Sequence, residues 1–273
     1  MTKDLDFMYN LYPSYGGMLS KIYWWLFRNC SIVRSLNSMD SNKVSFPYEK
    51  IVELEGNGSL MAFNLGTPGK DQKISILGYN QESKESFFAK FSDTKNAITL
   101  TQNEIRVYQI LGSTNLTPKL LDSIEGDDFV WMKTSCIKGH HISSMELTKE
   151  IVDIAVNLST YHFKSERTDE SKLRTSLSHG DFCPWNMLVD EGKIQLIDWE
   201  MADERPLGYD IFKYIWQISL LFTPEKTIND VVEENKNMIE YYFKSVKIDD
   251  WSEYLSYFVD INTMRNVLMQ ANE

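Results

Sequence analysis

A chain of 273 residues is long enough for two lobes with sizeable cores. Its composition, 42% hydrophobic and 25% charged, is that of an ordinary globular protein and excludes wholesale disorder. The net charge of −11 is uneven: residues 139–273 carry 13 Lys and Arg against 24 Asp and Glu, so 13 − 24 is the whole excess. An acidic second half repels a phosphate backbone, which argues against a nucleic-acid partner.

In chain order, the opening MTKDLDFMYN lacks a basic start followed by an apolar run, so no signal peptide is expected. Cys30, Cys136 and Cys183 are widely spaced with no CxxC, which points to reduced thiols in a cytoplasmic protein rather than to a zinc site or disulfides. The run IYWWLF at 22–27 is too short to span a bilayer. It reads as a helix packed on the body of the protein, with peripheral membrane contact through residues 18–28 as the alternative. Residues 1–57 are therefore expected to form a helical arm and linker, the linker lying at 37–49.

Residues 58–138 are expected to form a strand-rich N-lobe. SLMAFNLG (59–66), KISILGY (73–79) and SFFAKF (86–91) read as strands, the first two joined by the turn-rich TPGKDQ. A helix over 100–112 follows, with Ile105, Tyr108 and Leu111 at helical spacing and Gly112 as its stop. PKLLDSI and DFVWMKT, either side of EGDD, form a further hairpin. Residues 139–273 turn helical. A helix is expected over 147–163 with Ile151, Ile154, Ala155 and Leu158 on one stripe, then two short strands in MLVDEGKIQLIDW joined at Asp190-Glu191-Gly192. Helix is expected throughout 208–273, broken near Thr223-Pro224.

The segment LSHGDFCPWNML (177–188) sets polar residues tightly between apolar flanks. Asp181 and Asn186 are five apart, and Asp198 follows twelve residues later at the end of an apolar strand. An Asn and an Asp brought together at strand ends offer hard oxygen ligands that suit Mg²⁺ carrying nucleotide phosphates. A carboxylate beside them can accept a hydroxyl proton. Phosphoryl transfer asks for little beyond this arrangement and positive charge on the phosphates. Lys90, in the third strand, provides such a charge, and Glu104 on the following helix can hold it. The loop GTPGK, with Gly66 and Gly69, is glycine-rich enough to lie over phosphates.

HGDFCPWN, then LIDWE, then RPLGYD at 205–210, resembles the aminoglycoside phosphotransferase and choline kinase family, over roughly residues 58–222. The resemblance implies an α+β, two-lobed protein-kinase-like fold: a small antiparallel-sheet N-lobe with one helix and a mainly helical C-lobe. It implies an ATP- and Mg²⁺-dependent phosphotransferase acting on a hydroxyl of a small molecule or glycan. Asp181 would be the catalytic base, and Asn186 and Asp198 the metal ligands. Lys90 would contact the α/β phosphates and pair with Glu104. Backbone groups near Thr134–Ile137, Ser135 and Ile137 among them, would hold the base, and because that recognition is by backbone, GTP remains open beside ATP. His179 would shape the loop and Asp210 would brace it.

Three departures from the family pattern stand out. Cys183 and Trp185 replace the loop's usual residues, as in an HGDFxPWN subset linked to bacterial surface-glycan genes. Only about forty residues separate Gly139 from His179, too few for the extra helices of antibiotic-modifying relatives. The loop GTPGKDQ is not a GxGxxG. Cys183 is expected to fill the loop rather than act as a nucleophile. His140-His141 is expected on the surface rather than as a metal pair, since adjacent residues face apart. Trp185, Trp199, Trp216 and Trp251 are assigned to core in preference to a substrate pocket. A catalytically silent kinase-fold scaffold is the alternative function, disfavoured because Asp181, Asn186, Asp198, Lys90 and Glu104 are all retained. A protein kinase is disfavoured by the short span from Asp198 to Asp210 and by Gly180 in place of an arginine.

Overall fold

The computed structural model describes residues 47–56, 58–142, 144–163 and 173–270, together with Ile22. Of the expected helical arm and linker at 1–57, only Ile22 and residues 47–56 are described; the rest, including the remainder of IYWWLF and Cys30, lies outside the described residues. The chain divides into two compact units. The first holds the described residues up to Ile105 and Lys119–Lys138; the second holds Arg106–Pro118 and the described residues from Gly139 onward.

Among the described residues, the first unit holds α1 (Tyr48–Glu55) and a five-stranded antiparallel sheet. Its strands are β1 (Ser59–Asn64), β2 (Ile74–Asn80), β3 (Ser86–Ser92), β4 (Leu120–Glu125) and β5 (Val130–Ser135), in the order β1-β2-β3-β5-β4. Period-two alternation divides the central strand. Phe87, Ala89 and Phe91 join Ile51 of α1, Ile74, Ile76 and Trp131 in one buried cluster. The intervening Lys90 points to the other face, where it meets helix α2 (Lys95–Leu111).

Helix α2 begins five residues before the expected start, because Thr94 caps it: the Thr94 hydroxyl accepts from the Ala97 amide at 3.3 Å. Its buried residues Ala97, Thr101, Glu104, Ile105, Val107, Tyr108 and Leu111 follow the helical period, and this stripe includes two polar members. The Thr101 hydroxyl is matched by Ser92 at 2.8 Å, so burial leaves no lost hydrogen bond there.

The second unit contains β6 (His140–His141), α3 (Lys149–Leu158), β7 (Thr175–Ser178), β8 (Met187–Asp190), β9 (Lys193–Leu196) and β10 (Asp203–Pro206). Four helices close it: α4 (Tyr209–Phe222), α5 (Ile228–Glu234), α6 (Lys236–Ser245) and α7 (Ser252–Gln270). β8 and β9 form the expected hairpin, turning where Glu191 and Gly192 adopt positive φ, and β6 adds to its edge. β7 and β10 pair antiparallel as a second small ladder that the sequence reading did not contain. Both strands are four residues long, too short for alternation to register.

Helix α3 ends at Leu158 rather than at 163, and the Tyr161 carbonyl then accepts from Leu177 to guide the chain onto β7. The C-terminal helices are interrupted not only at 223–227 but also at Asn235 and between Ser245 and Ser252. The last of these stops is a Schellman-type turn. Ile248 N–H reaches Phe243 O at 2.9 Å, Lys247 N–H reaches Lys244 O at 3.1 Å, and Lys247 sits at φ 61°. Glycine usually takes that left-handed position, so a lysine there left no signal in the sequence. Phe212, Phe243, Trp251 and Phe258 pack ring against ring, with Phe243 and Trp251 stacked at 5.8 Å.

Candidate active site

The segment His179–Asn186 is an irregular loop between β7 and β8, and its shape follows from one buried carboxylate. Asp210, in the first turn of α4, accepts from the Ser178 hydroxyl at 2.8 Å, the His179 amide at 2.8 Å and the Gly180 amide at 3.1 Å. Three donors satisfy a charge that burial would otherwise make costly. Gly180 lies at φ +77°, and a Cβ there would stand 2.1 Å from the Met201 carbonyl oxygen. Any side chain at this position collides with backbone, so the missing arginine is a steric necessity of this loop.

His179 is fully buried, its ring 4.4 Å from that of Trp199. A backbone carbonyl can only accept, so Nε2 carries the proton and donates to Ile197 O at 3.0 Å. Nδ1 then accepts from the Asp181 amide at 3.3 Å. His179 thus ties the loop to β9 and fixes the backbone of the residue that follows it by two.

Asp181 is partly exposed, and its carboxylate is held from two sides. Asn186 Nδ2 donates to Asp181 Oδ2 at 3.0 Å and to the Asp181 carbonyl at 2.9 Å. Lys213 Nζ, from α4, stands 3.8 Å from Asp181 Oδ1. With Nδ2 engaged on Asp181, the carbonyl end of the Asn186 amide is directed away from that carboxylate. Asn186 itself closes a short 3₁₀ turn, Pro184–Asn186.

The β8–β9 hairpin brings the third residue of the set into register. Met187 pairs with Leu196, and Ile197 N–H donates to Asn186 O at 3.0 Å, so Asp198 leaves the ladder one residue beyond the partner of Asn186. Asp198 adopts φ 66°, ψ 58°. A non-glycine residue in the left-handed region carries strain that the surrounding structure must over-determine. Here the strain turns the chain out of β9 into the 3₁₀ turn Trp199–Met201, whose first residue is buried beside His179.

Cys183 is buried, its thiol donating to the Asp181 carbonyl at 3.1 Å. Burial, reinforced by the Asp181 charge, pushes this thiol well above the ordinary cysteine range. It fills the loop and is no nucleophile at neutral pH. Trp199 is core as expected, whereas Trp185, Trp216 and Trp251 are only half-buried. His140 and His141 are both exposed on β6, and no cluster of three or more His, Cys, Asp or Glu suited to a metal occurs among the described residues.

In the first unit, Lys90 Nζ and Glu104 Oε2 are joined at 2.6 Å, both side chains nearly buried. Gly66 and Gly69 lie in the exposed β1–β2 loop. Gly66 has φ +66°, and a Cβ would approach Lys73 O to 2.8 Å, so its glycine is required by the turn itself. The loop is tied down by Gln72 on Leu65 O, by Thr94 on Lys70 O at 2.6 Å and by Asn96 on Asp71. Ser135 ends β5 and exchanges two hydrogen bonds with Lys119, its amide donating to the Lys119 carbonyl at 2.8 Å and its hydroxyl accepting from the Lys119 amide at 2.9 Å. Ile137 lies in the irregular stretch after it.

Two features of the second unit were not singled out from sequence. Lys213 is one; its only sequence cue is a spacing of three from Asp210, which places both on one helix face. The other is a cavity of about 480 Å³ beside the later turns of α4, whose walls mix apolar side chains such as Ile215, Phe222 and Met238 with polar ones such as Glu146, Lys226 and Glu234.

Comparison with known proteins places these observations. The family model for the phosphotransferase enzyme family matches residues 161–228, the span that holds the loop, the hairpin and α4. A search of curated protein sequences returns no match. Among solved structures, an aminoglycoside-3'-phosphotransferase of type VIII superposes with a TM-score of 0.51 at 13% identity, covering 77% of this chain and 95% of that one. An ethanolamine kinase of Plasmodium vivax superposes with a TM-score of 0.50 at 15% identity, covering 82% and 79% respectively. The chain has the α+β, kinase-like fold of these two proteins and, over residues 161–228, resembles the phosphotransferase enzyme family anticipated from HGDFCPWN.

Proposed function

We propose that the chain is a phosphotransferase that moves the γ-phosphoryl group of ATP, with Mg²⁺, onto a hydroxyl of a small molecule or glycan. The observation that carries this reading is the loop geometry: Asp181 held by Asn186 on one oxygen, with Asp198 brought beside Asn186 by the hairpin register. The donor set fits the metal, since an amide oxygen and a carboxylate are the hard ligands Mg²⁺ takes when it carries phosphates. When bound, the metal would neutralise phosphate charge and the nucleotide would supply the phosphoryl group. Asn186 and Asp198 would hold the metal, and Lys90, kept in place by Glu104, would meet the phosphates. Backbone groups at Ser135 and Ile137 would hold the base, and Gly66 and Gly69 would let the β1–β2 loop lie near the phosphates. Asp181 would orient the acceptor hydroxyl and accept its proton.

A thermal-shift titration tests the metal assignment. Mg·ATP at about one hundred times its dissociation constant should stabilise the wild type by about 2.7 kcal/mol. Asp198→Ala should lose the Mg²⁺-dependent part of that shift. A ligand-induced shift unchanged by the substitution would remove Asp198 from metal binding.

A further inference from the structure

We propose that Lys213 is a second catalytic residue of the transfer site, its ammonium contacting the transferring phosphoryl group beside Asp181; the inference rests on the phosphotransferase reading above. The loop itself supplies no such cation. Between His179 and Trp199 the sole basic residue is Lys193, which lies exposed at the start of β9, paired with Asp190 in the hairpin. Lys213 comes instead from α4, and its placement is over-determined. Asp210, one turn earlier on the same face, is fixed to Ser178, His179 and Gly180. Tyr214, the next residue, lies with its ring 6.0 Å from that of Phe182. The contacts that brace the loop therefore also deliver the Lys213 ammonium to the carboxylate that follows Gly180.

The geometry at that carboxylate favours a chemical role over a structural one. The Lys213 side chain is 16% exposed and that of Asp181 32%, so the pair is shielded from most screening without being sealed from a ligand. At 3.8 Å the ammonium is within ion-pair range of Oδ1 but beyond hydrogen-bond length, whereas Asn186 already makes the close contact on Oδ2. Oδ1 is thus the oxygen left open to an acceptor hydroxyl. A hydroxyl bonded there would place the attacked phosphorus a few ångströms further on, inside the reach of a lysine that neighbours the same oxygen. In the transfer, Asp181 Oδ1 takes the proton of the acceptor hydroxyl as the acceptor oxygen bonds to phosphorus, and the nucleoside diphosphate leaves with the electrons of the broken P–O bond. Lys213 keeps its protons throughout and offsets charge on the equatorial oxygens.

The test uses the full chain and Mg·ATP, with water as acceptor, so that no acceptor need be known. Lys213→Met keeps the packing of the side-chain stem and removes the charge; Lys213→Arg restores a charge. The expected result is a fall of about a hundredfold in kcat for Lys213→Met, with KM for Mg·ATP within threefold and the melting temperature close to wild type, and recovery of about tenfold in Lys213→Arg. A kcat for Lys213→Met within threefold of wild type would overturn the proposal while leaving the phosphotransferase reading intact. So would a rise in KM at constant kcat, or an arginine variant as slow as the methionine one. A wild type with neither turnover nor a nucleotide-induced thermal shift would instead overturn the underlying reading, and the proposal with it.

Discussion

Asp181, Asn186 and Asp198 stood out in the sequence because the chemistry proposed for them needs particular residue types at fixed spacings. The physical content of the spacing is now visible: five residues close a loop ending in one 3₁₀ turn, and twelve more run up and down a two-stranded hairpin. Cys183 was open to two readings from sequence alone, and its burial decides between them. An unfolded cysteine titrates near 8.5, whereas burial holds the native Cys183 thiol far above that value. Its thiolate is therefore scarce across the neutral and mildly alkaline range, and labelling should not rise with pH as it would for an exposed thiol. Iodoacetamide treatment of the native protein between pH 7 and 9, read by peptide mass spectrometry, should modify half-buried Cys136 and spare Cys183. Rapid, pH-dependent modification of Cys183 would return it to the list of reactive groups.

At the scale of elements, the long periodic segments were legible and the short or locally capped ones were not. β3 announced itself by alternation, and α3 by a stripe whose four expected members are all buried. The start of α2 at Lys95 depends on one threonine cap, and the end of α6 on a lysine in a left-handed turn, neither of which periodicity reports. β7 and β10 are held by their pairing with each other across the chain, a tertiary cause invisible to a four-residue window. The element on which the site depends is the turn at Gly180, squeezed against the Met201 carbonyl and bonded to Asp210. Gly180→Ala should destabilise the chain by about 2–3 kcal/mol or more, from left-handed strain and a backbone clash together. Urea unfolding monitored by circular dichroism measures this directly, and a change below about 0.5 kcal/mol would mean the loop relaxes freely.

Across the whole molecule, the charge asymmetry seen in the sequence falls on the segment that carries the loop, the hairpin and the aromatic helices. Lys213 is the residue that composition and motif both passed over, because a single lysine on a helix acquires meaning only from what its first turn is anchored to. No helix among the described residues is long and apolar enough to cross a membrane. The fold is that of proteins which transfer phosphate to small molecules, yet identities of 13% and 15% carry the architecture and not the acceptor. The central claim is therefore about the reaction, and it turns on Asp181. The most direct measurement is phosphate transfer from Mg·ATP to a panel of amino alcohols, sugars, nucleosides and lipid-linked glycans, by the wild type and by Asp181→Asn in parallel. The expected result is transfer to at least one hydroxyl acceptor by the wild type. The variant should be slower by about a hundredfold or more, with its nucleotide-induced thermal shift retained. Equal turnover by the two proteins would contradict the account, as would a wild type that binds Mg·ATP and transfers phosphate to none of these acceptors.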